Sequence, residues 1–169
     1  YGIDIQLMVY MEAAMKLVAK MRPGKNVIPA GVFYYNISDP IVSATTESAE
    51  EIEDKIKGEL RLKGMVNSDK DIVEKMDNTE GTSLNIPVSR KADGGFDSRR
   101  SKVMNTEQFN MLGRFVDVRA VDTADRIAGG DIRRSPYKDG QFSSCDRCPY
   151  GAVCGFSVDL PGCNYRKLK

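Results

Sequence analysis

Four cysteines, Cys145, Cys148, Cys154 and Cys163, all fall within the last 25 residues of a 169-residue chain. Chance placement would rarely gather them so. Two residues separate Cys145 from Cys148, a step that brings two thiolates close enough to share one metal centre. All four thiolates together would satisfy tetrahedral zinc. Iron–sulfur chemistry uses the same donors, and spacing alone does not choose between the metals. A disulfide pair is the weaker reading, because nothing marks the chain as secreted.

A second chemical feature is Gln6-Leu-Met-Val-Tyr10. On a helix, residues four apart share a face. A carboxamide and a phenol would then stand side by side, able to reach a phosphate oxygen or a metal-bound water. The plain alternative is that both are the polar edge of a packed helix.

Other chemistry is excluded or set aside. The chain has no histidine, which removes Ser-His-Asp and Cys-His nucleophilic sites, His-ligated zinc and histidine general bases. Glu53-Asp54-Lys55 has an acid-x-Lys spacing, but it lies in an expected helix, whereas metal nucleases need such groups on adjacent strands around one cation. It reads as a solvated helix face. Gly24-Lys25 lacks the first glycine and the Ser/Thr of a phosphate-binding loop.

Hydrophobic residues make up 41% and charged residues 29%, a globular composition that is neither membrane nor disordered. No apolar run approaches the roughly 20 residues that span a bilayer. The opening Tyr1-Gly2-Ile3-Asp4 has no basic n-region and no cleavage site, so it does not read as a signal peptide. It also lacks an initiator Met and starts inside an expected helix, as a piece of a longer protein would. Net charge is +1, yet Ile132–Lys169 holds seven basic residues against three acidic ones, a local +4. Such an end can approach phosphates, or can simply be well solvated.

These residues need elements to position them. Ile3, Leu7, Met11, Ala14, Met15 and Val18 recur at helical steps, predicting one amphipathic helix over 1–21, stopped by Pro23-Gly24. Val27–Ile37 predicts a strand, with burial on both faces an option. Ser43–Thr46 reads as a loop. Ser48 with Glu51 fits a capping box ahead of Ala49, Ile52, Ile56 and Leu60. A short helix is expected over Asp69–Met76. Asp77–Asn105 reads as a long loop or excursion, with partial disorder an option and a weak strand at Ile86-Pro87-Val88. Asn105 with Gln108 caps a further helix whose buried face is Phe109, Leu112, Phe115 and Val116, ended by Gly129-Gly130. A short strand at Ile132 and a Pro136-Tyr137 turn lead into the cysteine segment.

Set in order, the Gln-x-x-x-Tyr helix is followed by Pro29-Ala30-Gly31-Val-Phe-Tyr-Tyr-Asn-Ile-Ser-Asp39-Pro40, Leu62-Lys-Gly-Met-Val66, Glu74-Lys-Met76-Asp77 and Glu107-Gln108-Phe109. Then come Ile127-Ala-Gly-Gly-Asp-Ile132, Ser-Pro136-Tyr137-Lys138 and Cys145-x2-Cys148-Pro-Tyr-x3-Cys154-x-Phe156. Over almost its whole length the chain resembles the C-terminal part of AddAB-type helicase–nuclease B subunits, a family with a RecB-type, PD-(D/E)XK-like nuclease domain.

The resemblance implies an α/β fold: the C-terminal portion of a restriction-endonuclease-like nuclease core with a cysteine-rich iron–sulfur C-terminal segment. It implies one fragmentary nuclease domain over 1–169. Within it, 1–42 would carry the motif helix and core strand, 43–104 a helical excursion and long loop, 105–132 a helix returning to the core, and 133–169 the cluster segment. The implied activity is Mg2+-dependent hydrolysis of DNA by an exonuclease, within an ATP-dependent complex that processes double-strand-break ends for recombinational repair. Gln6 and Tyr10 carry over as accessory active-site residues, and Cys145, Cys148 and Cys154 as three ligands of a [4Fe–4S] cluster. The family's fourth ligand lies upstream of the core, so Cys163 is not its counterpart. Implied partners are DNA and the helicase–nuclease A subunit, as a heterodimer in the cytoplasm and away from membranes. ATP serves the parent complex.

The family's metal-binding carboxylates and catalytic lysine lie on strands just before the Gln-x-x-x-Tyr helix. The chain is therefore expected to start after them, to be inactive alone, and to hold the cluster poorly. One alternative is a Cas4-like iron–sulfur nuclease, against which the long Ser43–Arg126 region argues. Another is a non-catalytic zinc or iron–sulfur module that binds DNA or a partner subunit.

Overall fold

A computed structural model describes residues 3, 5–43 and 48–168. It divides into two compact units, Asp4–Val118 and a second formed by Arg119–Lys169 with Tyr1–Ile3. Residues 1, 2 and 4 of the expected first helix, and most of the loop expected over Ser43–Thr46, lie outside the described residues.

In the first unit, α1 (Gln6–Met21), β1 (Gly31–Tyr34), α2 (Ala49–Leu60), β2 (Lys63–Asn67), α3 (Lys70–Met76) and β3 (Val103–Met104) lead into α4 (Thr106–Ala128), which continues into the second unit. The helix starts are local and follow their caps. Ser48 N–H donates to the Glu51 carboxylate (2.8 Å) and Glu51 N–H to the Ser48 hydroxyl (3.3 Å), the reciprocal box expected from sequence. Asn105 and Gln108 make the same exchange at 2.9 and 2.8 Å. The Asp69 carboxylate accepts from the Asp71 and Ile72 N–H groups to open α3. Gly129 and Gly130 end α4 as expected.

The sheet is mixed, in the order β1-β2-β3. β1 pairs antiparallel with β2 and β2 parallel with β3. The expected strand over Val27–Ile37 is only four residues long. It is an edge strand with an exposed Tyr34, not one buried on both faces. The central strand is β2, which sequence reasoning did not recognise as one. Gly64 is required there by close approach: a Cβ on it would lie 2.0 Å from the Val32 carbonyl oxygen across the β1 pair.

Two clusters form the core. Met8, Met11, Phe109 and Val116 are buried where α1 meets α4, with Val32 and Met65 packed against them. Wholly burying Phe109 stabilises this contact by roughly 1.5–3 kcal/mol. The buried line of α1 runs through Met8, Met11 and Met15, with Ile5 just before it; Met11 and Met15 are as expected, whereas Ala14 and Val18 of the expected face are exposed. Phe115 of α4 is likewise exposed, while Phe109 and Val116 are buried. The second cluster is Val66, Val73, Ile86 and Val88, backed by Phe33, Leu62, Phe96 and Val103.

Asn67 ties these layers together. Buried at the end of β2, it donates through Nδ2 to the Pro29 carbonyl (2.8 Å) and Thr106 Oγ1 (2.9 Å), and its Oδ1 accepts from Asp69 N–H (3.0 Å). Asn67→Ala should cost about 1–3 kcal/mol, because it orphans buried partners as well as removing bonds. Urea denaturation reads this, and an unchanged midpoint would refute the role.

Residues 77–102 form a long loop without helix or strand, as expected, but one tied down by hydrogen bonds rather than partly disordered. Ile86-Pro87-Val88 is buried without being a strand, and lone bridges join Thr82 to Ser89 and Arg90 to Phe96. Asp77 organises the turn. Its carboxylate accepts from Thr79 N–H (2.8 Å), Ser83 Oγ (2.6 Å) and Asn85 Nδ2 (3.1 Å), and its carbonyl accepts from Arg90. Burial pushes the Asp77 pKa up, but the hydrogen bonds from Ser83, Thr79 and Asn85 outweigh it and hold the pKa well below the usual carboxylate range. A depressed folded pKa stabilises above the unfolded value of about 3.9 and is lost as pH falls below it. Stability should therefore decline on acidification below about pH 4, and Asp77→Asn should flatten that decline in chemical denaturation run at several pH values. An equally steep acid limb in the variant would contradict it.

The second unit contains β4 (Tyr137–Asp139), β5 (Phe142–Ser143), α5 (Gly151–Cys154) and β6 (Arg166–Lys167). β4 pairs antiparallel with β5 and parallel with β6. Ile132, expected in a strand, is in none and is 93% exposed. No helix among the described residues is long and apolar enough to cross a membrane.

Candidate functional site

Gln6 and Tyr10 stand together as their spacing predicted. With Ile5, Met8, Met11 and Met15 turned inward, both project from the opposite, solvent side of α1. Gln6 Nε2 donates to the Tyr10 hydroxyl oxygen at 2.7 Å, and Tyr10 is 59% exposed. The phenol keeps its own O–H to donate, and the amide keeps its carbonyl to accept. Gln6 also sits in the first turn of α1, where the helix dipole favours an anion. The pair can thus hold and orient a phosphate oxygen or a water, and contributes no charge to it.

The remaining acid–lysine candidate is solvated, as expected. Glu53 and Asp54 are exposed and pair with Lys57 at 2.9 and 3.9 Å along α2. The Lys57 hydrogen bond lowers the Glu53 pKa. Among the described residues, no group of three or more Cys, Asp or Glu side chains is gathered so as to hold a metal ion.

All four cysteines are free thiols. Cys145, Cys154 and Cys163 are half-buried and Cys148 is exposed. Their segment is a chain of turns: Cys148 N–H donates to the Cys145 carbonyl (3.2 Å), and Cys154 N–H to the Tyr150 carbonyl (2.9 Å). Asp146 secures the first turn by accepting from Ser143 N–H and Oγ, both at 2.7 Å. For an iron–sulfur cluster or zinc, the donor chemistry fits, since the thiols are unpaired and share one short segment. The geometry gathers them round no single point, so no coordination is derived from it.

Sequence reasoning passed over the residues that hold this segment. Arg134 Nη1 donates to the Cys154 and Gly155 carbonyls, each at 3.1 Å. Tyr165 stacks edge-on against Phe156 at 5.0 Å, beneath the Lys138 ammonium. The Ser143 hydroxyl lowers the Tyr165 pKa while the Cys145 thiol and desolvation raise it, for a net upward shift. Only the aromatics near the last cysteines could have hinted at this. The basic balance of Ile132–Lys169 is also partly neutralised locally. Asp131 accepts from Arg133 (2.8 and 2.9 Å) and from Arg126 (2.9 Å), and the Arg133 bonds hold its pKa well below the usual range.

The sequence profile of the PD-(D/E)XK nuclease superfamily matches residues 1–155. The chain is similar to proteins named as the B subunit of an ATP-dependent helicase/deoxyribonuclease. It is 37% identical to that of Caldanaerobacter subterraneus subsp. tengcongensis over 171 residues, covering 100% of this chain and 14% of that protein. Identity is 36% with the Thermoanaerobacter sp. X514 protein (100% and 15% covered) and 37% with that of Clostridium botulinum strain Hall (99% and 15%). The chain spans 14–15% of the length of these relatives.

Proposed function

Because the chain belongs to the PD-(D/E)XK nuclease superfamily, we propose that it forms part of a DNA exonuclease domain in a helicase–nuclease complex that processes double-strand-break ends for recombinational repair. The observation that carries this reading is the Gln6–Tyr10 pair, hydrogen-bonded on the solvent face of α1 within a chain similar throughout to helicase/deoxyribonuclease B subunits. Gln6 and Tyr10 act as accessory active-site residues that orient the scissile phosphate or the attacking water. Mg2+, when bound, supplies charge at the phosphodiester and lowers the pKa of that water. The partners are DNA and the A subunit, and ATP serves the complex.

Cys145, Cys148 and Cys154 contribute three ligands to a [4Fe–4S] cluster. Their spacing, their free thiols and the turns that join them support this. The cluster's part is structural: its binding energy is coupled to folding of the second unit. A zinc module is the second reading, favoured by Cys163 being a fourth free thiol in the same segment, half-buried like Cys145 and Cys154.

The test is degradation of linear duplex DNA by the full-length protein with its partner subunit, in ATP and Mg2+, beside iron, sulfide and zinc analysis of anaerobically purified protein. Mg2+-dependent cleavage with iron and sulfide supports the proposal. No cleavage, with stoichiometric zinc, replaces it by the binding module.

A further inference from the structure

The geometry points to a second DNA contact on this chain: a cleft between the end of α2, the start of β2 and residues 87–102 that binds backbone phosphates of a DNA strand. This rests on the nuclease reading above, and it concerns elements that carry neither Gln6 nor Tyr10. The cleft has a volume of about 400 Å³ and is lined by Arg61, Leu62, Lys63, Pro87, Arg100 and Lys102 among others, with no acidic side chain among the described residues of its lining. That size lies within the range of small-ligand sites.

Arg61 is its anchor. The guanidinium is half-buried and donates through Nε to the Ile86 carbonyl (2.8 Å) and through Nη2 to the Val88 carbonyl (3.1 Å). Both partners are neutral. Burial lowers the Arg61 pKa, yet an arginine stays charged in a protein. A partly desolvated cation held by carbonyls alone is costly until an anion joins it, and two of its five N–H donors account for the bonds described.

The other three cations are exposed side chains on a rigid frame. Arg100 and Lys102 flank Ser101, whose buried hydroxyl donates to the Ser89 carbonyl (3.1 Å) and accepts from Ser89 N–H (2.9 Å). Lys102 N–H donates to the Pro87 carbonyl (2.8 Å), and the Lys102 carbonyl accepts from Val66 N–H (2.9 Å). Two features oppose an anion. Asp97 lies near enough to Arg100 for each to feel the other's charge, and the C-terminal end of α2 carries a partial charge of about −0.5. Four cations outweigh both. They exceed what one phosphate requires and suit successive phosphates of a strand.

The test measures binding rather than cleavage. The full-length protein with its partner is titrated with single-stranded and duplex oligonucleotides, in EDTA, across a salt series. Each cation withdrawn from a phosphate should lower the slope of log K against log salt by roughly 0.7 for a single strand or 0.9 for duplex. The double variant Lys63→Gln/Lys102→Gln should weaken binding about 5- to 30-fold near 0.1 M salt and lower the slope by about 1.4–1.8. Arg100→Gln is an independent variant, with about half that slope change. Lys57→Gln, on α2 but outside the cleft lining, should change neither quantity.

Unchanged affinity and slope in well-folded cleft variants overturn the inference. So does a loss of inorganic phosphate binding with DNA binding intact, which would make this a site for free anions. A protein that fails to cleave DNA but shows the slope change loses the nuclease reading and keeps the cleft. One that cleaves with its slope unmoved keeps the nuclease reading and loses the cleft.

Discussion

Cys148→Ser in the full-length protein is expected to remove most of its iron and acid-labile sulfide, from about four irons per chain to fewer than about one. A serine hydroxyl is a far poorer ligand than a thiolate for iron that prefers soft sulfur. Cys148 is exposed and packs in neither core cluster, so the substitution leaves no cavity, and the loss reports the ligand itself. Because cluster binding is coupled to folding, the C-terminal segment should then be cleaved by protease sooner than in the parent. Cys145→Ser and Cys154→Ser should behave alike, while Cys163→Ser should retain its iron. Full iron in Cys148→Ser would sink the cluster assignment. Stoichiometric zinc lost on Cys163→Ser would transfer the site to four local thiolates.

Tyr10→Phe and Gln6→Ala should each slow DNA cleavage about 10- to 100-fold, with ATP hydrolysis by the complex unchanged. The size follows from positioning: misplacing a reacting group by about 1 Å costs on the order of 100-fold. Tyr10→Phe deletes only the oxygen that accepts the Gln6 amide at 2.7 Å. Neither side chain enters the Met8, Met11, Phe109 and Val116 cluster, so melting should be unaffected. Single-turnover cleavage at saturating DNA separates this from weaker binding, since a positioning role lowers the rate and leaves Kd alone. Parent-like rates in both variants would show the pair to be only the polar edge of a packed helix.

What the sequence determined by itself was local. Ser48 with Glu51 and Asn105 with Gln108 each satisfy helix N–H groups three residues away, so no distant partner is needed to read them. The Gln6–Tyr10 juxtaposition was legible for the same reason, being one helical turn. The family resemblance was legible in motif order, since Gln-x-x-x-Tyr, Ala-Gly-Val-Phe-Tyr and the cysteine spacing are each contiguous.

The sequence placed Met11 and Met15 on the buried face of α1, but only the tertiary structure decided that Met8 joins them against Phe109 and Val116 while Val18 is left exposed. It also decided that Lys63–Asn67 is the central strand. That strand carries a glycine at 64 and an asparagine at 67, both poor strand formers. They are tolerated because Gly64 must lie against Val32 and Asn67 must bond Pro29 and Thr106, partners 32 to 39 residues away in sequence. The polar 77–102 segment is ordered for a related reason. Asp77, Ser83 and Asn85 satisfy one another, and Ile86 and Val88 enter a core whose other members come from β2 and α3. The cleft of Arg61, Lys63, Arg100 and Lys102 has no motif at all, since a field built from residues about 40 positions apart exists only once β2 and β3 have paired.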